Sequence, residues 1–157
     1  MNTRIIINDY DYVVPQTLAE AFAVLNGKKD VKILAGGTDL IVKLKMGTNM
    51  PLATMMDIKK IAELEGMKEL PTGGLEIGAT TKLSHIEKNP ALAEKYPALA
   101  DALNAMAAIA VRNMGTIGGN LANASPAADT AGPCMVYDSK VKLVSAKGER
   151  LVAMKDF

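Results

Sequence analysis

Two pairs of adjacent glycines constrain this chain more than any other feature. One lies in Ala35-Gly36-Gly37-Thr38-Asp39-Leu40. The other lies in Thr116-Ile117-Gly118-Gly119-Asn120-Leu121, which runs on into Ala124-Ser125-Pro126-Ala127-Ala128-Asp129. Glycine lets the backbone take positive φ and come close to a ligand with no Cβ in the way. Successive N–H groups in such a turn form a concavity for an anion. Both loops carry hydroxyl or amide side chains and neither contains Lys or Arg. Two such loops suit a ligand with two linked phosphates, held by N–H groups and side-chain donors rather than by point charges. That ligand class is a dinucleotide.

The rest of the composition excludes more than it suggests. The 157 residues suffice for one ordinary domain or two small subdomains, and 49% hydrophobic with 22% charged residues describes a globular chain. A net charge of +1 gives no global electrostatic case for nucleic acid or an anionic membrane. Trp is absent and aromatic residues make up 4%, which argues against a base-stacking surface. The single cysteine, Cys134, rules out an intramolecular disulfide and a multi-Cys metal or iron–sulfur site on this chain, and the single histidine, His85, rules out a multi-His zinc cluster. No metal site is expected. The longest apolar run, Ala105 to Val111, is far short of a membrane span, and Ile5-Ile6-Ile7 is too short for a signal peptide. A cytoplasmic location is the default.

Periodicity predicts an α/β chain. Thr17 and Glu20 form a capping box ahead of Leu18, Ala21, Phe22 and Leu25, and Gly27 ends that helix. Ile5–Asp9, Val31–Ala35 and Thr54–Ile58 read as strands, with a second helix over Asp39–Met46, which together make a small parallel unit. After Ile61 the texture changes. Gly73-Gly74 is a turn, Leu75–Thr80 a strand, and Ser84 is read as the cap of a helix with Glu87 at its third position. Pro90 and Pro97 punctuate the next stretch. Ala98–Val111 is predicted as one helix with Leu99, Leu103, Met106 and Ala110 on one face, and Gly115 breaks it. Lys140–Ser145 and Arg150–Ala153 form a hairpin around Lys147-Gly148. His85 reads as a helix-cap or packing residue, Cys134 as a buried structural thiol, and the ten methionines as core filler. Arg112 is left between two roles: a phosphate contact, or a cap on the carbonyl end of the 98–111 helix.

A lone glycine pair usually makes only a turn, and the chain has neither a Walker loop nor a Rossmann fingerprint. The longer pattern is more specific. Ala35 to Leu40, then Arg112-Asn113-Met114-Gly115-Thr116-Ile117-Gly118-Gly119-Asn120-Leu121, then Ala124 to Asp129, resembles the FAD-binding subunit of molybdenum hydroxylases, the relatives of xanthine, carbon monoxide and nicotinate dehydrogenases. Shorter matches support it: Tyr12 with Pro15 to Ala21, Gly78-Ala79-Thr80-Thr81 before His85, Pro97-Ala98-Leu99, and Asp156-Phe157. The resemblance spans essentially the whole chain in order.

It implies a two-subdomain FAD-binding fold, a small parallel N-terminal subdomain over residues 1–60 and a mostly antiparallel one over 61–157, with FAD stretched between them. Ile33, Leu34, Ala35, Gly36, Gly37, Thr38, Asp39 and Leu40 would wrap the pyrophosphate from one side, and Thr116, Ile117, Gly118, Gly119 and Asn120 from the other. Asp129 matches a residue on the adenosine half, Ser125 lies beside it, and Met106 sits near a cofactor-packing position. No catalytic residue is implied on this chain. Molybdopterin and the 2Fe–2S clusters would sit on partner subunits, an iron–sulfur subunit and a molybdopterin-binding large subunit, with electrons leaving FAD for NAD⁺ or another acceptor. Family members continue beyond Asp156-Phe157 into a further strand segment and a C-terminal domain, so the resemblance implies a truncated form. A flavin-less scaffold of the same complex is the alternative. A carbohydrate oxidase-like relative is a weaker one, because neither Gly-Gly loop holds a His or Cys for covalent flavin.

Overall fold

The computed structural model describes residues 9–48 and 50–157. Its first sheet is parallel. β1 (Asp11–Val13) and β2 (Val31–Leu34) flank β3 (Thr54–Asp57), with Asp11 and Val31 both opposite Thr54 and Leu34 opposite Asp57. All of β3 is buried, as expected of a central parallel strand covered on both faces. Its adjacent methionines divide the work, because successive strand residues point to opposite faces. Met56 packs with Ala21 and Ile61, against Leu18 and Val24 of α1 (Leu18–Gly27). Met55 packs with Leu34 and Leu52, against Leu40, Ile41 and Leu44 of α2 (Leu40–Lys45).

The sequence reading placed a first strand at Ile5–Asp9. Residues 5–8 lie outside the described residues, and the strand that opens the sheet is β1, after Asp9. The Thr17 cap forms: its Oγ1 accepts from Glu20 N–H at 3.2 Å. The returning Glu20 carboxylate takes the N–H of Gln16, at 2.7 Å, rather than that of Thr17.

The strands of the second half are antiparallel hairpins. β4 (Met67–Glu69) pairs with β5 (Leu75–Ile77) around Gly73, whose φ of +86° makes the turn, and β6 (Lys140–Ser145) pairs with β7 (Gly148–Ala153). Helices supply the core there. Leu83 and Ile86 of α3 (Leu83–Glu87), Leu92 of α4 (Pro90–Lys95), and Leu99, Ala100 and Leu103 of α5 (Pro97–Ala105) join Met106 and Ile117 in one cluster. Tyr137 closes it, with its ring edge-on to Tyr96 and its hydroxyl accepting from Ala98 N–H at 3.0 Å.

Two expectations, the Ser84 cap and the single helix over 98–111, are corrected here. Ser84 does not cap a helix but lies buried inside α3, whose N-cap is Lys82. Pro90 and Pro97 begin helices, where a missing N–H costs nothing. The single helix over 98–111 is two. It stops at Ala105 and resumes as α6 (Ile109–Arg112), with Ala107 at φ +44°, so Ala110 leaves the shared face and is exposed. Arg112 takes the carbonyls of the break, those of Met106 and Ala107. The methionines divide too: Met55, Met56 and Met106 are buried, whereas Met46, Met114 and Met135 are exposed.

Leu103 has no exposed surface. Leu103→Ala is therefore expected to cost about 2–5 kcal/mol through lost burial and a residual cavity. Urea unfolding should show a lower midpoint with an unchanged slope.

Candidate functional site

The carboxyl end of a parallel sheet is where α/β folds place ligands, and the first glycine pair lies there. β2 ends at Leu34, the chain turns through Ala35-Gly36-Gly37-Thr38-Asp39, and α2 begins. Gly37 has φ +75°, a conformation that favours glycine, and its carbonyl accepts from Ile41 N–H at 3.0 Å. The N–H groups of Ala35, Gly36, Gly37, Thr38 and Asp39 donate to nothing among the described residues. Five successive donors are thus left open in one turn. Thr38 is half-buried with its hydroxyl unpartnered among the described residues, and Asp39 is exposed. Of the flanking predicted residues, Leu34 and Leu40 belong to the core, whereas the Ile33 side chain is exposed.

Gly36 does not face open space. A Cβ on it would lie 2.4 Å from the Met114 carbonyl oxygen and 2.7 Å from Gly115 Cα. The two motifs therefore touch, backbone on backbone. A second link crosses beside them, where Lys43 Nζ donates to Asn123 Oδ1 at 2.6 Å.

The second glycine pair is not a loop. Thr116 is the N-cap of α7 (Ile117–Ala122), and Gly118 and Gly119 lie in its first turn without positive φ. Its N–H groups are consumed internally: Ile117 by Thr81 O, Gly118 by Ala79 O, Gly119 by Thr116 Oγ1 and Asn120 by Thr116 O, at 2.9–3.1 Å. Gly118 is a glycine because a Cβ would lie 2.7 Å from both Cβ and O of Ala79. What this motif leaves available is side-chain chemistry. Asn120 accepts from the Thr130 hydroxyl through Oδ1, and its amide N–H groups have no partner among the described residues.

The other predicted residues stand apart. Ser125 Oγ accepts from Ala127 N–H at 3.2 Å and shapes its own turn. Asp129 is exposed, and Met106 is buried in the helical core. No hydrogen bond among the described residues joins any of these three side chains to either glycine motif. Arg112 resolves toward the carbonyl-capping role. Its Nη1 donates to the carbonyls of Met106 and Ala107 at 2.7 and 2.8 Å, and the remaining face forks onto Glu87.

Sequence reasoning missed two features. Lys43 is one: it lies a helical turn beyond Asp39, and that spacing was its only signal. The other is a carboxylate at the end of β3. Buried Asp57 accepts from Tyr12 OH at 2.5 Å, from Lys59 Nζ at 2.7 Å and from Lys59 N–H at 3.0 Å, tying β1 to the chain beyond β3. Burial pushes the Asp57 carboxyl up, but the hydrogen bonds from Lys59 and Tyr12 outweigh it and hold it below the usual carboxylate range. The same bond from Tyr12 to Asp57, then burial, pushes the phenol up. The Arg112 hydrogen bonds hold Glu87 low. Burial raises the Cys134 thiol, which makes it a poor nucleophile. His85 is exposed. Among the described residues no three His, Cys, Asp or Glu side chains gather as a metal site, and no helix is long and apolar enough to cross a membrane. The arrangement offers donors to an anion.

The family described as the FAD binding domain in molybdopterin dehydrogenase matches residues 8–157. The chain is similar to the nicotinate dehydrogenase FAD-subunit of Eubacterium barkeri, 35% identical over 153 residues, which are 96% of this chain and 51% of that one. It is similar to the xanthine dehydrogenase FAD-binding subunit of Escherichia coli O157:H7, 35% identical over 141 residues, 90% and 48% of the two chains. Among solved structures, reconstituted CO dehydrogenase from Oligotropha carboxidovorans superposes with a TM-score of 0.90 at 32% identity, over 98% of this chain and 53% of that one. The chain spans about half the length of the curated relatives it matches.

Two outcomes follow from the geometry. Gly36→Ala forces a methyl into the Met114 carbonyl and is expected to destabilise toward the upper end of the roughly 1–3 kcal/mol range for overpacking. Gly132→Ala, in α8 (Ala131–Val136) with nothing within 4 Å, should stabilise by about 0.5–1 kcal/mol. Thermal unfolding of the two variants compares them. The second outcome concerns acid. Asp57 and Glu87 are held low in the folded protein, so their stabilisation is full above the unfolded carboxyl values near about 4 and is lost as pH falls through the folded ones. Urea midpoints should drop from pH 6 to pH 3, and Glu87→Gln should show a shallower drop. An equally steep decline would show that the pair carries no proton linkage.

Proposed function

Since the chain belongs to the family of FAD-binding domains of molybdopterin dehydrogenases, we propose that it holds FAD as the electron-transfer part of a molybdenum-dependent dehydrogenase and does not itself oxidise substrate. The observation that carries this is the open run of N–H donors from Ala35 to Asp39 at the carboxyl end of β2. The donor set fits a pyrophosphate: neutral N–H groups in a glycine turn, with the Thr38 hydroxyl and the Asn120 side-chain N–H groups, which have no hydrogen-bond partner among the described residues. Lys43 adds a cation at the seam, partly neutralised by Asp39 at 3.9 Å. FAD, when bound, supplies a redox centre that accepts an electron pair and passes it on.

In this reading Ala35–Asp39 binds the pyrophosphate from the first unit, residues 1–60. Thr116 to Asn120 form the opposing wall from the second, residues 61–157, with Thr116, Ile117, Gly118 and Gly119 fixing the wall and Asn120 donating from it. Ser125 and Asp129 serve the adenosine half. Relatives named as FAD subunits of nicotinate and xanthine dehydrogenases support a partnership with an iron–sulfur subunit and a molybdopterin-binding large subunit. NAD⁺ is one acceptor that fits, and a cytoplasmic complex goes with it. Without those partners the chain is inactive.

Titration of the protein with FAD, followed by flavin absorbance and fluorescence, tests the reading. Saturable uptake is expected. Thr38→Val removes one hydrogen bond to a charged group, worth roughly 1.5–3 kcal/mol, and should weaken binding about tenfold to a hundredfold. Glycine variants at 118 are poor probes, because Gly118 packs on Ala79 and its loss disturbs the fold first. A folded protein that takes up no FAD would sink the reading in favour of the flavin-less scaffold.

A further inference from the structure

Arg112 is only 9% exposed, an unusual place for a guanidinium. Nε and Nη2 donate to the two carboxylate oxygens of Glu87 at 2.8 and 3.0 Å, a bidentate fork. Nη1 donates to Met106 O and Ala107 O, across the break where Ala107 holds φ +44°. A buried ion pair is weak evidence of stability in its own right, since apolar residues often serve as well. What distinguishes this one is where its grip leads.

Glu87 is the last residue of α3 and Leu83 the first. Leu83 N–H donates to Gly115 O at 3.0 Å, and Gly115 N–H donates to Val111 O at 2.7 Å. Helix α3 therefore holds the segment from Arg112 to Gly115 at both of its ends, by a side-chain fork at Glu87 and a backbone bond at Leu83. Gly36 rests on the Met114–Gly115 peptide with no room for a methyl. The chain of contacts runs from Glu87 through Arg112 to that peptide, and from there into the turn whose N–H groups are open.

We propose that Arg112, gripped by Glu87, is a positioning residue for the anion-binding turn: it sets the peptide on which Gly36 rests and so fixes the direction of the Ala35–Asp39 N–H groups. The proposal rests on the reading of that turn as the FAD pyrophosphate site. Lysine cannot substitute, because one ammonium cannot span a carboxylate fork and two carbonyls together.

The test uses the whole chain with Arg112→Lys and Glu87→Gln, and Val24→Ala, packed against the separate cluster of Ala21, Met56 and Ile61, as a variant that loses stability away from this contact. Two readouts are taken where each protein is folded by circular dichroism: the amide ¹H–¹⁵N resonances of Gly36 and Gly37 without flavin, and the Kd for FAD. Arg112→Lys is expected to move both resonances and weaken FAD at least tenfold. Glu87→Gln should act in the same direction with a smaller change. Val24→Ala should leave the resonances in place and the Kd within twofold. If Arg112→Lys keeps both resonances and the wild-type Kd, the positioning role is overturned while the FAD reading stands. If wild type binds no FAD yet the resonances still move, the FAD reading falls and the coupling of Arg112 to the turn stands. Should Arg112→Lys fail to fold, the nearly isosteric Glu87→Gln decides by the same two readouts.

Discussion

The rest of the structure depends on one contact, the seating of Gly36 on the Met114–Gly115 peptide. It brings a turn at the end of a parallel strand against a turn between two helices that lies nearly 80 residues away in the chain. Any side chain at residue 36 would separate the two. The same device recurs nearby. A Cβ on Gly78 would sit 2.3 Å from Leu64 O, and one on Gly118 would strike Ala79. These backbone-on-backbone seams are closed by short hydroxyls: Thr80 Oγ1 donates to Leu64 O at 2.8 Å, and Thr81 Oγ1 donates to Gly66 O and accepts from Gly66 N–H. No buried side-chain nitrogen or oxygen among the described residues lacks a partner, which is what a polar seam needs in order not to weaken the fold.

The sheet sets the other boundary of the site. Because β3 is covered on both faces, Met55 and Met56 serve different cores, and the strand ends of β1, β2 and β3 emerge together at one edge. Asp57, at that edge, is occupied by Tyr12 and Lys59. A bare carboxylate beside the turn proposed to bind an anion would repel its ligand. Tied to an ammonium and a phenol, Asp57 instead fastens β1 to β3, and the N–H groups of Ala35–Asp39 stay unpaired among the described residues.

Strands β2, β3 and β5, the β6–β7 hairpin, the first helix and its cap were legible because each rests on local signals: alternation, 3.6-residue spacing, and Thr17 three residues before Glu20. Strands β1 and β4, three residues each, carry no such signal and were not read. The first glycine turn was legible for the same reason. The break at Met106–Ala108 was not, because an alanine-rich stretch of good helix formers carries no local stop. At the break Arg112 bonds two carbonyls, with Glu87 from another helix holding the guanidinium in place, and that long-range contact leaves no local mark. Met106 illustrates a related difficulty. Its place near a cofactor came from an alignment outside the specific motif, and tertiary packing sends its side chain into the helical core. Lys43 was overlooked because neither glycine motif contains a cation, yet helical spacing carries one back to the seam.

The two glycine pairs look alike in sequence and do different physical work. In the first, glycine permits a positive φ at residue 37 and leaves five N–H groups unspent. In the second, glycine permits close packing on Ala79, and the helix turn spends the N–H groups of residues 117–120 on the protein itself. A phosphate between them would therefore meet backbone donors on one side and side-chain donors on the other. The two sides should differ in what they tolerate. On the first, in the proposed reading, the backbone conformation is the recognition element, and the identity of neighbouring side chains matters less. On the second, the wall is rigid and its chemistry resides in Asn120, whose orientation is fixed by the Thr130 hydroxyl. Thr130 is fully buried and reaches Asn120 through that bond, so in the proposed reading it positions a recognition residue although nothing in the glycine pattern points to it.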